Sequence, residues 1–209
     1  MRLTRSFFLQ PTLKISKELL GKYIIHKIGN EKIVGKIVET EAYPTPDDRA
    51  SHAYGYKKTP RNRAEYMIGG HVYIYLVYGM YWQLNISTGN QGKPECVLIR
   101  ALEPVQKANE AKSYFERSEK QGSDQRAGSY KLKANIANGP GKLCNYLQLN
   151  KAHYGIDVCT SSELWLEAGE KVNSNDIVVS HRIGIDYAKE WALKPWRFYI
   201  KDSAYVSMG

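Results

Sequence analysis

The run Val38-Glu39-Thr40-Glu41-Ala42-Tyr43 concentrates more potential chemistry than any other part of the chain. Read as a strand, its period-two alternation puts Glu39, Glu41 and Tyr43 on one face and Val38, Thr40 and Ala42 on the other. An acid and a ring two positions apart stand roughly 6.5–7 Å from each other along a strand. That is room for a planar group on the ring and a water held by the carboxylate, which could then act as a general base. On a solvated strand edge the same pattern would be two surface glutamates. Arg100 lies inside the apolar run Cys96-Val97-Leu98-Ile99-Arg100-Ala101-Leu102. Buried, it needs an acidic partner, and Glu41 is a natural counterpart with a water shared between them; at a strand end it would reach solvent instead.

A second group of residues suits a polyanion. Tyr73 and Tyr75 share a strand face, and Tyr78 sits beside Gly79 and Met80 at a presumed turn. A large ring at a hairpin tip is poorly placed to join a core. It could cover its own hairpin, or enter a base stack as a wedge, at a cost of a few kcal/mol per unstacked step. Asn85 could project into a pocket or end its strand. Lys57, Lys58, Arg61 and Arg63 could hold phosphates or form a solvated loop. Gly139-Pro140-Gly141-Lys142 opens a predicted helix, and helix N-termini suit phosphate, although the spacing is not that of a nucleotide-triphosphate loop. Arg182 and Lys194 add positive charge near the C-terminus.

Several elements must position these groups. Apolar spacing predicts a helix over 12–20 behind Pro11. Strands are predicted over 22–28 and 32–43, with a turn at Gly29-Asn30. Residues 44–63 read as a long loop, a length that inside a compact domain signals function or disorder. Strands over 71–78 and 81–88 form a hairpin, and 96–102 a short buried strand. A polar helix is expected over 104–121, a helix from Gly139-Pro140-Gly141 to about Leu149, and strands at 164–167, 177–185 and 197–201. The mixed order without βαβ alternation predicts one α+β domain over 1–209, with a largely antiparallel curved sheet, surrounding helices and a protruding β-hairpin.

Composition narrows the class. The 209 residues are 43% hydrophobic, enough for a core. A formal charge of +9 favours a nucleic-acid partner, though a basic protein can lack one. Sixteen Tyr against 4 Phe suggests surfaces that stack on bases. Three widely spaced cysteines (Cys96, Cys144, Cys159) argue against a disulfide framework and a zinc site, so neither metal nor cofactor is expected. The absence of a signal-peptide pattern or a membrane span predicts an intracellular protein, in the cytoplasm or nucleoid if bacterial. In that setting the glycosylation pattern at Asn85-Ile86-Ser87 is a chance match.

These residues resemble the alkyladenine (methylpurine) DNA glycosylases. The likeness runs from about Leu19 to Ser207, through VETEAY (38–43), the SH pair (51–52), TPRNR (59–63), YIYLVYGMYWQLNIS (73–87), VLIRALEP (97–104), NGPGKL (138–143) and RFY (197–199). The resemblance implies a monomeric, metal-free enzyme that flips damaged purines out of double-stranded DNA and hydrolyses the N-glycosidic bond. Glu41 would be the general base, with Arg100 and the Ile183 backbone carbonyl holding its water. Tyr43 would stack on one face of the flipped base, His52 and Tyr75 on the other. Tyr78 would be the wedge, and Asn85 would crowd the exocyclic amine of guanine. Residues 118–137 match little and are expected to be a disordered loop. Two other readings stay open: a non-catalytic nucleic-acid-binding module, and a lyase acting through a lysine Schiff base.

Overall fold

A computed structural model describes residues 1–105 and 135–207. Most of the expected 104–121 helix and 118–137 loop lies outside those residues. The described residues contain eight strands: β1 (Tyr23–Ile28), β2 (Glu31–Tyr43), β3 (Val72–Val77), β4 (Tyr81–Ser87), β5 (Cys96–Pro104), β6 (Leu164–Glu167), β7 (Ile177–Ser180) and β8 (Arg197–Ile200). With α1 (Arg5–Phe8), α2 (Thr12–Glu18) and α3 (Pro140–Tyr146) they make an α+β domain. The strands order β3-β4-β5-β2-β1-β6, with β8 on β2 and β7 on β8. Every pairing is antiparallel.

The expected boundaries shift where the backbone turns. Pro104 closes β5 and does not start a helix. The strand expected over 177–185 stops at Ser180, because Arg182 turns inward and Gly184 takes a φ of 74°. The helix expected to reach Leu149 ends at Tyr146, as Gln148 adopts a left-handed φ of 56°.

β2 organises the sheet. Its first half pairs with β1 and its second half with β8 along the same edge, while β5 runs along the other. The register against β5 shifts on both sides of Glu39. Such irregularities bend a strand and re-aim its side chains, and here they sit beside the two glutamates. Thr40 and Ala42 face the main core, where the Thr40 hydroxyl donates to the Ser16 carbonyl of α2 (2.9 Å). Leu19, Ile37, Ile74, Leu84, Ile99, Leu143 and Phe198 fill that core. Among the described residues, no helix is long and apolar enough to cross a membrane.

Candidate active site

Glu41 is fully buried, 0% exposed, and lines a cavity of about 460 Å³, within the ~300–1,000 Å³ range of small-molecule sites. Its Oε1 accepts the Ile183 backbone N–H (2.8 Å) and pairs with Arg100 Nη1 (3.1 Å). The Tyr43 hydroxyl donates to Oε2 (3.1 Å). A carboxylate has about four acceptor positions. Among the described residues, Oε1 therefore uses both of its positions, and Oε2 keeps one for a small donor such as water. Arg100 is buried and also donates to Glu39 Oε1 (3.0 Å) and the Ser207 hydroxyl (3.3 Å). Burial alone would lower its pKa, but Glu41 and then Glu39 outweigh it and the net shift is upward. The two glutamates thus share one face, and neither is a solvated edge residue.

Aromatic side chains make the walls. One face of the Tyr43 ring is covered by the Arg182 guanidinium at 4.6 Å, so the cavity side is the one left for a ligand. Burial, then the Glu41 carboxylate, pushes its phenol well above the ordinary range. His52 meets Tyr75 edge to face (centroids 4.6 Å apart), and His52 Nδ1 lies 2.6 Å from the buried Tyr73 hydroxyl. Burial, helped by nearby Arg61, lowers the His52 pKa to about 4, so the ring is neutral at physiological pH. On the hairpin, Tyr73 pairs with Asn85 and Tyr75 with Gln83. The Tyr75 hydroxyl donates to Gln83 Oε1 (2.9 Å), and Asn85 Nδ2 donates to the Tyr73 carbonyl (3.1 Å). At the tip, Tyr78 and Gly79 both have positive φ (52° and 70°), the signature of a type I′ turn. Tyr78 is 86% exposed there while still reaching the cavity rim.

Glu41, Tyr43, His52, Arg61, Tyr75, Tyr78, Asn85, Arg100 and Ile183 all line the same cavity. Arg61 leans over the Tyr75 ring (4.9 Å) and donates to the Leu76 carbonyl. Lys57, Lys58 and Arg63 are exposed on the 44–63 segment but do not line the cavity. Nor do Gly141 and Lys142. A Cβ on Gly141 would come within 2.9 Å of the Tyr81 ring, which gives this glycine a packing role, and Lys142 donates to Asn138 Oδ1 (2.9 Å). Arg182 is a correction. It is not a surface cation: its side chain is fully buried, paired with Asp48 and sandwiched between Tyr43 and Trp196.

The structure adds Asp48, Asn62 and Glu65, which the sequence did not single out. Asp48 and Arg182 staple the 44–63 segment behind Tyr43, and Asn62 closes it by donating to the His52 and Lys57 carbonyls. An acid followed much later by an arginine in sequence gives no sign of this pairing. Glu65 lines the cavity too, buried, with Oε2 unpartnered, Oε1 accepting a weak Cys96 thiol contact (3.4 Å), and Asn62 close enough to favour its charged form slightly. Burial raises its pKa to about 7. Among the described residues, the one group of side chains close enough to ligate a metal lies away from this cavity.

The family profile described as Methylpurine-DNA glycosylase matches residues 6–204. A protein of Clostridium novyi (strain NT) named "Putative 3-methyladenine DNA glycosylase" is 44% identical over 207 residues, covering 99% of this chain and 98% of its own. Proteins of the same name from Desulfitobacterium hafniense (strain Y51) and Methanocella arvoryzae (strain DSM 22066 / NBRC 105507 / MRE50) are 43% and 42% identical. They cover 99% and 98% of this chain, and 98% and 95% of their own lengths. The chain therefore belongs to the methylpurine-DNA glycosylase family and is a DNA N-glycosylase, a hydrolase of N-glycosyl bonds.

Proposed function

We propose that the protein acts as a single-domain monomer that flips alkylated or deaminated purines out of double-stranded DNA and hydrolyses their glycosidic bond with a water activated by Glu41. The substrate class is 3-methyladenine, 7-methylguanine, hypoxanthine and ethenoadenine, with the first favoured by the relatives' names. The observation that carries the reading is the free acceptor position on Glu41 Oε2, on a cavity wall already lined by Tyr43, His52 and Tyr75.

The chemistry balances simply. For a cationic alkylated purine, the water oxygen bonds to C1′ as the C1′–N bond breaks, and that bond's electron pair leaves with the purine and neutralises it; hypoxanthine and ethenoadenine, which are neutral, must also take up a proton as they leave. Glu41 takes the water's proton, and an abasic site remains. Arg100 and the Ile183 backbone hold the acid and its water, and the carboxylate's negative charge stabilises the oxocarbenium-like sugar. General base catalysis of this kind contributes roughly 10²–10⁴-fold. An alkylated purine already carries positive charge, so it leaves readily and stacks well on electron-rich rings. Damage also weakens pairing, which lowers the cost of extrusion. Tyr78 fills the gap in the stack, and Asn85 crowds the exocyclic amine of guanine. Lys57, Lys58, Arg61, Arg63, Gly141 and Lys142 grip phosphates. The setting is intracellular, in the cytoplasm or nucleoid.

Glu41→Gln tests the reading with oligonucleotides carrying each lesion. Base release should fall by roughly 10²-fold or more with duplex binding retained. Unchanged release would overturn it, as would a covalent adduct trapped by borohydride, which would mean a lysine Schiff base.

A further inference from the structure

At the far end of the sheet from the cavity, three side chains converge. His26 lies on β1, Glu163 immediately precedes β6, and His153 lies on the 3-10 turn over 151–153. The Lys27 N–H donates to the Glu163 carbonyl (2.8 Å) and His26 pairs with Leu164, so the sheet itself fixes two of the three. His26 Nε2 and His153 Nε2 are 3.2 Å apart, and Glu163 Oε1 lies 3.6 Å from each. The point equidistant from all three atoms is about 2.0 Å from each, which is the Zn–N and Zn–O bond length.

We propose that His26, His153 and Glu163 form a binding site for one divalent transition-metal ion, Zn²⁺ in the first place, with the remaining coordination position open to water. A metal-free pair of hydrogen-bonded histidines accounts for the 3.2 Å contact alone. It does not account for a carboxylate oxygen standing equally far from both nitrogens and beyond ordinary hydrogen-bond length. A carboxylate recruited by one N–H would close on that nitrogen.

The surroundings fit a ligand set. His26 Nδ1 lies 2.6 Å from the Leu147 carbonyl, which fixes its N–H there and leaves the Nε2 lone pair pointing at the site. His153 Nδ1 accepts the Asn150 N–H (3.1 Å) as part of a capping box and also lies 3.2 Å from the Asn150 carbonyl, so metal binding through Nε2 requires the ring to switch to the tautomer that donates to that carbonyl. The two imidazoles are buried, whereas the Glu163 side chain is 55% exposed, giving the ion a route in. The two-nitrogen, one-oxygen set suits Zn²⁺ or Co²⁺ rather than Mg²⁺ or Ca²⁺. The cysteine count gives no hint of it because no thiolate takes part. An ion here would clamp the β1–β6 edge to the segment after α3. This site is independent of the glycosylase chemistry.

The test uses the full-length, tag-free protein stripped with a chelator and titrated with Co²⁺, then Zn²⁺. The expected result is one equivalent of Co²⁺ with the visible absorption of a four-coordinate N/O site, displaced by Zn²⁺, and a melting temperature that rises with added Zn²⁺. Glu163→Gln changes an exposed side chain and should fold. It should weaken binding by about tenfold or more and abolish the Zn²⁺-dependent rise, and His153→Gln should do the same. No saturable Co²⁺ site in the wild type, or one equivalent bound with unchanged affinity in Glu163→Gln, would overturn the proposal.

Discussion

Two buried glutamates line the cavity, and their surroundings differ. Glu41 is met by a guanidinium, a backbone N–H and a phenol. Glu65 has one unpartnered oxygen and a weak thiol contact on the other, with burial raising its pKa to about 7. The same residue type is thus an anchored acceptor at one position of the lining and, at the other, a group that burial brings to titrate near neutral pH. The difference lies in the donors each wall supplies.

The largest effect should come from stripping the Glu41 wall of its cation. Arg100→Gln leaves Glu39 and Glu41 buried without the guanidinium they share. Urea unfolding should show a loss of about 3–5 kcal/mol, and a loss under 1 kcal/mol would mean that the pairing contributes little.

Glu65→Gln sharpens the contrast from the other wall. The folded-state pKa is raised, so the stability contribution of the protonated group is present below the unfolded value of 4.5 and lost as pH rises through about 7. The variant cannot titrate, so its stability relative to wild type should improve by about 2.5 kcal/mol between pH 5 and pH 8. Chemical denaturation at the two pH values measures this. A pH-independent difference would mean that Glu65 is not held protonated. His52 carries the opposite sign: its lowered pKa means stability is lost as pH falls from 6.5 toward 4.

The smallest effect lies outside both walls. Tyr78→Gly at a φ of 52° should relieve left-handed strain and stabilise the fold by up to about 1 kcal/mol. Duplex binding and base release should nonetheless weaken, and the Glu65 pH dependence should be unchanged. Unfolding and binding measured on one preparation would show whether the tip is independent of the walls.

Much of this arrangement was legible in the sequence because it rests on local patterns. Period-two alternation put Glu39 and Glu41 on one face, the apolar run around Arg100 required an acid, and Gly79 marked the hairpin tip with Tyr78 beside it. What was not legible depends on distant partners. Arg182 read as a surface cation because nothing local announces Asp48, far earlier in the chain. Glu65 sits in a polar-looking segment, and its character comes from burial against Cys96. The end of β7 was set by a glycine's positive φ and an inward-turning arginine, neither visible as a break in hydrophobicity.

The most direct test places the two acids side by side. Single-turnover base release from a methylated-purine duplex should fall by roughly 10²-fold or more in Glu41→Gln, with wild-type affinity for DNA, while Glu65→Gln still excises the cationic base. Glu41→Gln excising that base at the wild-type rate would contradict the account.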